Sequence, residues 1–99
     1  MGEFGGGCLL YLALAEVNRW YSFFNEHGVN KIVIGVGGIT RPESALKHFL
    51  AGASTIQIGT WYMQEGITVF EKVWNYIINW LEENGFSKIE EIVGIVKDL

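Results

Sequence analysis

The sequence holds one cysteine and one proline among its 99 residues. A lone thiol, Cys8, can close no disulfide within the chain and cannot build a zinc site, so a reducing, cytoplasmic setting is expected. Seven Lys and Arg residues stand against eleven Asp and Glu, for a net charge of −4. The basic residues form no run or stripe, which argues against a nucleic-acid partner. Long apolar runs are missing too. A membrane-crossing helix takes about 20 residues. Cys8 to Ala15 falls short of that, and the stretch 69–81 is broken by Glu71, Lys72, Asn75 and Asn79. The first residues are glycine-rich and carry Glu3 where a secretory signal wants a basic region, so no signal peptide is expected. The two histidines, His27 and His48, have no second histidine or carboxylate at ligand spacing. Metal ligation is excluded on that ground, and a solvated or capping role is expected for each.

What is present is a globular pattern. Hydrophobic residues make up 49% of the chain. Leu10, Leu14, Val17, Tyr21 and Phe24 recur at helical spacing and predict a helix from Leu9 to Glu26, with Gly28 just past its end. Lys31 to Val36 is apolar without alternation, as in a parallel strand buried on both faces. Thr40-Arg41-Pro42-Glu43 reads as a capping box with Thr40 as N-cap, opening a helix to Ala51. Thr55 to Ile58 predicts a second strand and Trp61 to Gly66 a loop or short turn. A helix from Ile67 to Glu83 follows, with a stripe of Ile67, Phe70, Val73, Trp74, Ile77, Ile78 and Leu81. Ser87-Lys88-Ile89-Glu90 reads as another capping box before a short helix. Trp20, Trp74 and Trp80 are expected to pack, or to mark a sticky surface where neighbouring elements are absent.

Strands alternating with helices imply an α/β fold with a parallel pair. Two parallel strands cannot cover their own edges, so the unit is expected to be incomplete by itself. The expected fold class is a partial (β/α)8 barrel, because a whole one needs roughly 250 residues.

Two glycine motifs end the two strands. Gly35-Val36-Gly37-Gly38-Ile39 precedes a helix, and Gly59-Thr60 lies 21 residues beyond Gly38, about one strand-helix-strand repeat. Both therefore belong to the same, carboxyl-terminal edge of the sheet. Glycine lets backbone N–H groups approach an anion with no Cβ in the way. Consecutive amides form a nest for phosphate oxygens, a helix N-terminus adds positive potential, and Thr60 offers a hydroxyl. One Gly-Gly pair alone would more simply serve a tight turn. The two motifs together fit the phosphate cup that βα-barrels build after their last two strands.

The run Gly35-Val36-Gly37-Gly38-Ile39, Ala45, His48, Leu50-Ala51-Gly52-Ala53-Ser54, Gln57-Ile58-Gly59-Thr60, Gln64-Glu65-Gly66 and Phe70-Glu71 resembles the C-terminal end of the dihydroorotate dehydrogenases, nearest to the soluble class 1 type. Glu83 to Gly94 also fits that family's ending. Ala13 to Val17, behind Gly5-Gly6-Gly7, resembles the segment entering its sixth helix. The likeness implies an FMN-dependent barrel that oxidises dihydroorotate to orotate in pyrimidine synthesis. It implies that Gly37, Gly38, Gly59 and Thr60 touch the FMN phosphate and that Gly6 or Gly7 approaches the flavin. It also implies what the 99 residues lack. The family's catalytic Cys or Ser lies far upstream of the matched stretch, and Cys8 falls at the sixth-helix segment, so it is not that base. No catalytic residue is expected here, and activity is expected to need the missing barrel half. Tyr11 replaces a proline usual near that helix, and Trp61 and Tyr62 replace small residues. Two other readings stay open. One is a self-associating module that binds FMN or another phosphate without redox chemistry. The other is a vestigial structural protein, which Trp61 favours.

Overall fold

The computed structural model describes residues 9–96. Gly6, Gly7 and Cys8 lie outside that range. The described elements run α1 (Leu9–Glu26), β1 (Ile34–Val36), α2 (Pro42–Ala51), β2 (Thr55–Gln57), α3 (Thr60–Glu65) and α4 (Thr68–Glu83), and a 3₁₀ turn (Ile89–Glu91) follows. β1 and β2 pair in parallel, with Ile34 opposite Thr55 and Val36 opposite Gln57. Only three residues of each expected strand are extended and paired.

The helices cover one face of this small sheet. Gly35 is buried beneath them, whereas Ile34 and Val36 alternate to the other face and are each 50% exposed. Lys31 to Val36 is thus covered on one side only, and the second face is left bare among the described residues. A doubly wound sheet would carry helices on both sides. Helices on one side with an apolar opposite face match a wall segment of a barrel.

Local chemistry explains the helix ends. α1 stops at Gly28, whose φ is 67°, and the Val29 amide turns back to the Phe24 carbonyl at 2.8 Å. α2 starts one residue later than the capping box suggests. Proline disfavours a helical backbone in the residue before it, so Arg41 is extended at φ −146° and is the N-cap, without a side-chain cap bond. The expected Thr40 cap is therefore not made. Near the end of the chain the carboxylate of Glu91, not Glu90, accepts from the Ser87 and Lys88 amides at 2.7 and 3.0 Å. The expected short helix is a single 3₁₀ turn.

Two apolar clusters hold the unit together. Leu10, Leu14 and Val17 of α1 pack with Ala51 and Ala53. Ile39, Ala45, Leu46, Phe49, Trp61, Val69, Val73, Ile77, Leu81 and Ile92 form the second. α4 presents Val69, Val73, Ile77 and Leu81 inward, while Ile67, Phe70 and Trp74 point out, at 75%, 49% and 65% exposure. Its buried stripe is rotated from the expected one. Trp61 to Gly66, expected as a loop, is mostly the helix α3. Trp61 sits in the core, and Lys72 of α4 donates to Glu65 at 2.7 Å, which holds that carboxyl below its usual range. Asn18, buried on α1, donates to the carbonyls of Ala51 and Val96, each at 2.9 Å. It ties the C-terminal strap to α1 and α2.

Candidate phosphate-binding edge

The register of the sheet carries both glycine motifs to one edge. β1 and β2 are offset by 21 residues, the separation of Gly38 from Gly59. Continuing the pairing past Val36 and Gln57 sets Gly38 beside Gly59 as the two chains leave the sheet. Among the described residues, the amides of Gly38, Ile39 and Gly59 donate to no backbone carbonyl. Thr60 opens α3, where a first-turn amide has no partner inside the helix. Gly59 and Thr60 are exposed, and Gly37 and Gly38 are half-buried.

Each glycine has its own reason. Gly37 and Gly38 adopt φ of 111° and 69°, which side chains rarely tolerate. Gly38 also lies against the backbone of Leu10, so a Cβ there would collide with the first turn of α1. Gly35 leaves room for the ring of His48. Gly59 differs from every other described glycine. Its φ is −108°, and a Cβ built on it meets nothing within 4 Å. Neither a positive φ nor packing calls for glycine there. Its missing side chain leaves open space at the edge where the Gly38, Ile39 and Gly59 amides find no backbone acceptor among the described residues, and glycine amides of this kind can cradle a phosphate.

His48 corrects the sequence expectation. It is neither solvated nor capping but fully buried on α2, with Nε2 3.0 Å from the Gly37 carbonyl oxygen. Its Nδ1 is buried with no hydrogen-bond partner among the described residues. Burial pushes its pKa below the usual histidine value, and the hydrogen bond to Gly37 opposes that more weakly. The available signal was its place three residues after Ala45 on the buried face of α2. His27 is exposed, stacked on Phe23 with ring centroids 4.3 Å apart.

Trp61 follows Thr60 directly, yet its side chain is 5% exposed and belongs to the second core cluster. Its bulk serves packing. A hollow lined by Tyr21, Phe24, Lys31, Gly52 and Ser54 lies at the other end of the strands, beside their amino-terminal ends. In βα-barrels that face reads as stability and the carboxyl-terminal face as function. No group of three metal-ligating side chains occurs among the described residues, and none of their helices is long and apolar enough to cross a membrane. The edge therefore offers backbone donors and the Thr60 hydroxyl, and groups of this kind can hold an anion.

Comparison with known proteins shows the family and the fold. The sequence model described as Dihydroorotate dehydrogenase matches residues 1–81. The chain is 36% identical to the dihydroorotate dehydrogenase (fumarate) of Trypanosoma cruzi over 98 residues, covering 99% of this chain and 30% of the relative. It is 49% identical over 63 residues to the catalytic subunit of dihydroorotate dehydrogenase B (NAD(+)) of Pyrococcus horikoshii, covering 64% and 21%. The crystal structure of the Eimeria tenella enzyme in complex with ferulenol superposes with a TM-score of 0.78 at 26% identity, covering 92% of this chain and 23% of that one. The fold is α/β, with its two-stranded parallel sheet forming part of a barrel. The chain spans less than a third of the length of these relatives.

Proposed function

The chain belongs to the dihydroorotate dehydrogenase family, and we propose that it is the C-terminal, FMN-phosphate-binding part of such an enzyme. Gly37, Gly38, Gly59 and Thr60 hold the phosphate through backbone amides and the Thr60 hydroxyl, and Gly6 or Gly7 approaches the flavin. The observation that carries this reading is Gly59, whose missing Cβ faces open space at the edge where the Gly38 and Gly59 amides find no backbone acceptor among the described residues. When bound, FMN supplies the hydride acceptor for oxidation of dihydroorotate to orotate. The chain's own residues bind and orient its phosphate and bring no catalytic base.

We further propose that the 99-residue chain is inactive by itself, acts in the cytoplasm and meets its remaining barrel half along the bare sheet face. Ile34 and Val36 on that face, with a free edge on each strand, are surfaces that further strands would cover. A second copy of the chain is the alternative cover, and the same exposed residues favour it.

Calorimetric titration of the purified chain with FMN, riboflavin and inorganic phosphate tests the cup. The expected result is FMN binding with riboflavin weaker and phosphate competing. Equal affinity for FMN and riboflavin, or no binding of FMN, overturns it. Reduction of a dye by dihydroorotate with the chain alone would sink the claim of inactivity.

A further inference from the structure

The glycine pair of the cup has too much freedom to hold a geometry by itself. Gly37 and Gly38 both have positive φ, and glycine samples the two halves of φ space about equally. The peptide between them needs an anchor, and the structure provides one from below. The Gly37 carbonyl oxygen lies 3.0 Å from Nε2 of His48. A carbonyl only accepts, so Nε2 carries the proton and donates it. Every described peptide is trans, and in a trans peptide the N–H points opposite to the C=O. Drawing the Gly37 carbonyl down onto His48 therefore turns the Gly38 N–H up, away from the core and toward the cup.

Two costs accompany this contact. Nδ1 of His48 is left buried with no partner among the described residues, which an apolar ring would avoid. Position 35 is confined to glycine, since a Cβ there would overlap the imidazole. Buried orphan polar atoms are rare and call for a reason. An apolar side chain would spare Nδ1 but leave the Gly37 carbonyl without its donor, so the role of the ring is tied to that carbonyl.

We propose that His48 is a positioning residue, which clamps the Gly37–Gly38 peptide so that the Gly38 amide donates to a phosphate monoester in the cup. This rests on the FMN-phosphate reading above. His48 itself touches no ligand and acts through the peptide.

The test compares the full chain with His48→Phe, which keeps a ring without a donor, and His48→Gln, whose side-chain amide reaches the same carbonyl. Nitrogen NMR of the unsubstituted chain should show His48 as the Nε2–H tautomer. The Gly38 amide resonance should shift in His48→Phe and return in His48→Gln. FMN and inorganic phosphate should bind roughly tenfold more weakly to His48→Phe, the scale of one charge-assisted hydrogen bond, with recovery in His48→Gln. Riboflavin binding should not follow that pattern. An Nδ1–H tautomer, or a folded His48→Phe that binds FMN as the parent does, overturns the clamp. If His48→Phe does not fold, the tautomer and the affinity of His48→Gln decide, and a tenfold loss in a folded His48→Gln with an unmoved Gly38 resonance counts against it. A parent chain that binds neither FMN nor phosphate overturns the cup reading itself, and the tautomer separates that outcome from failure of the clamp.

Discussion

Gly35 lies directly against the imidazole of His48, and a Cβ at position 35 would overlap Nδ1 and stand 2.9 Å from Cγ. The ring is fully buried and cannot swing aside. Gly35→Ala should therefore destabilise the chain by about 1–3 kcal/mol, the usual cost of overpacking a core. Urea unfolding measures it. Combining Gly35→Ala with His48→Ala should be less costly than the sum of the two, because residues in contact couple. Strict additivity would show that the contact is not made.

Acid should weaken the fold through the same histidine. Burial holds the folded His48 below its usual 6.5, so between the two values the unfolded chain binds a proton that the folded chain does not. Stability then rises with pH across that window, is complete above about 6.5, and is lost as pH falls toward the folded value. The described polar contact of His48 is the Gly37 carbonyl alone, which opposes the shift without cancelling it. Glu65 adds a loss of the same sign at lower pH, and the exposure of its ion pair with Lys72 keeps that loss small. Chemical unfolding at a series of pH values from roughly 7.5 down to 5 should slope for the parent chain and flatten for His48→Gln.

Asn18 reaches across the chain from α1 to bind two carbonyls, 33 and 78 residues away. Asn18→Leu would keep the volume and leave the Ala51 and Val96 carbonyls without that donor. The expected loss is about 1–3 kcal/mol, the desolvation cost of unsatisfied buried acceptors. Hydrogen exchange should quicken first at Gly94 and Val96, whose amides donate to Phe49 and Leu50. Unchanged exchange there would show that the strap holds without Asn18.

Much of this architecture was legible in the residues. α1 runs from Leu9 to Glu26 as its periodicity predicts, and Gly28 turns the chain just past its end where expected. Local signals fix those features. α3 carries no cap and no periodic stripe, and it forms because Trp61 is drawn into the core, which is a tertiary effect. α4 carries two apolar stripes, and only contact with α2 decides that Val69 and Val73 face inward rather than Phe70 and Trp74. The site divides the same way. Gly38 and Gly59 were visible as a spaced pair, and the register confirms their common edge. Gly6 and Gly7 fall outside the described residues. His48 was missed because a single histidine in a helix gives no sign of its partner, which here is a backbone atom.

Trp61 has a second consequence. Because its ring is buried with Ile39, Leu46 and Val73 among others, Trp61→Ala should remove core volume and cost about 3–5 kcal/mol. Thermal unfolding would show it as a lower midpoint. FMN affinity, measured where the variant is still folded, should not improve. A gain in affinity would place the ring in the cup instead.

Gly59 separates binding from folding most cleanly. Its φ of −108° lies outside the left-handed region, and a Cβ there meets no atom within 4 Å. Gly59→Val should cost no stability through packing, because the added side chain is exposed. The branched side chain would, however, fill the space in front of the Gly38 and Gly59 amides. FMN affinity should then fall by tenfold or more, equivalent to about 1.4 kcal/mol, while riboflavin, which has no phosphate, should bind as before. An equal loss for both ligands would assign the open space to the flavin ring. No loss for either would remove from the argument for a phosphate cup the one described glycine that neither a positive φ nor packing accounts for.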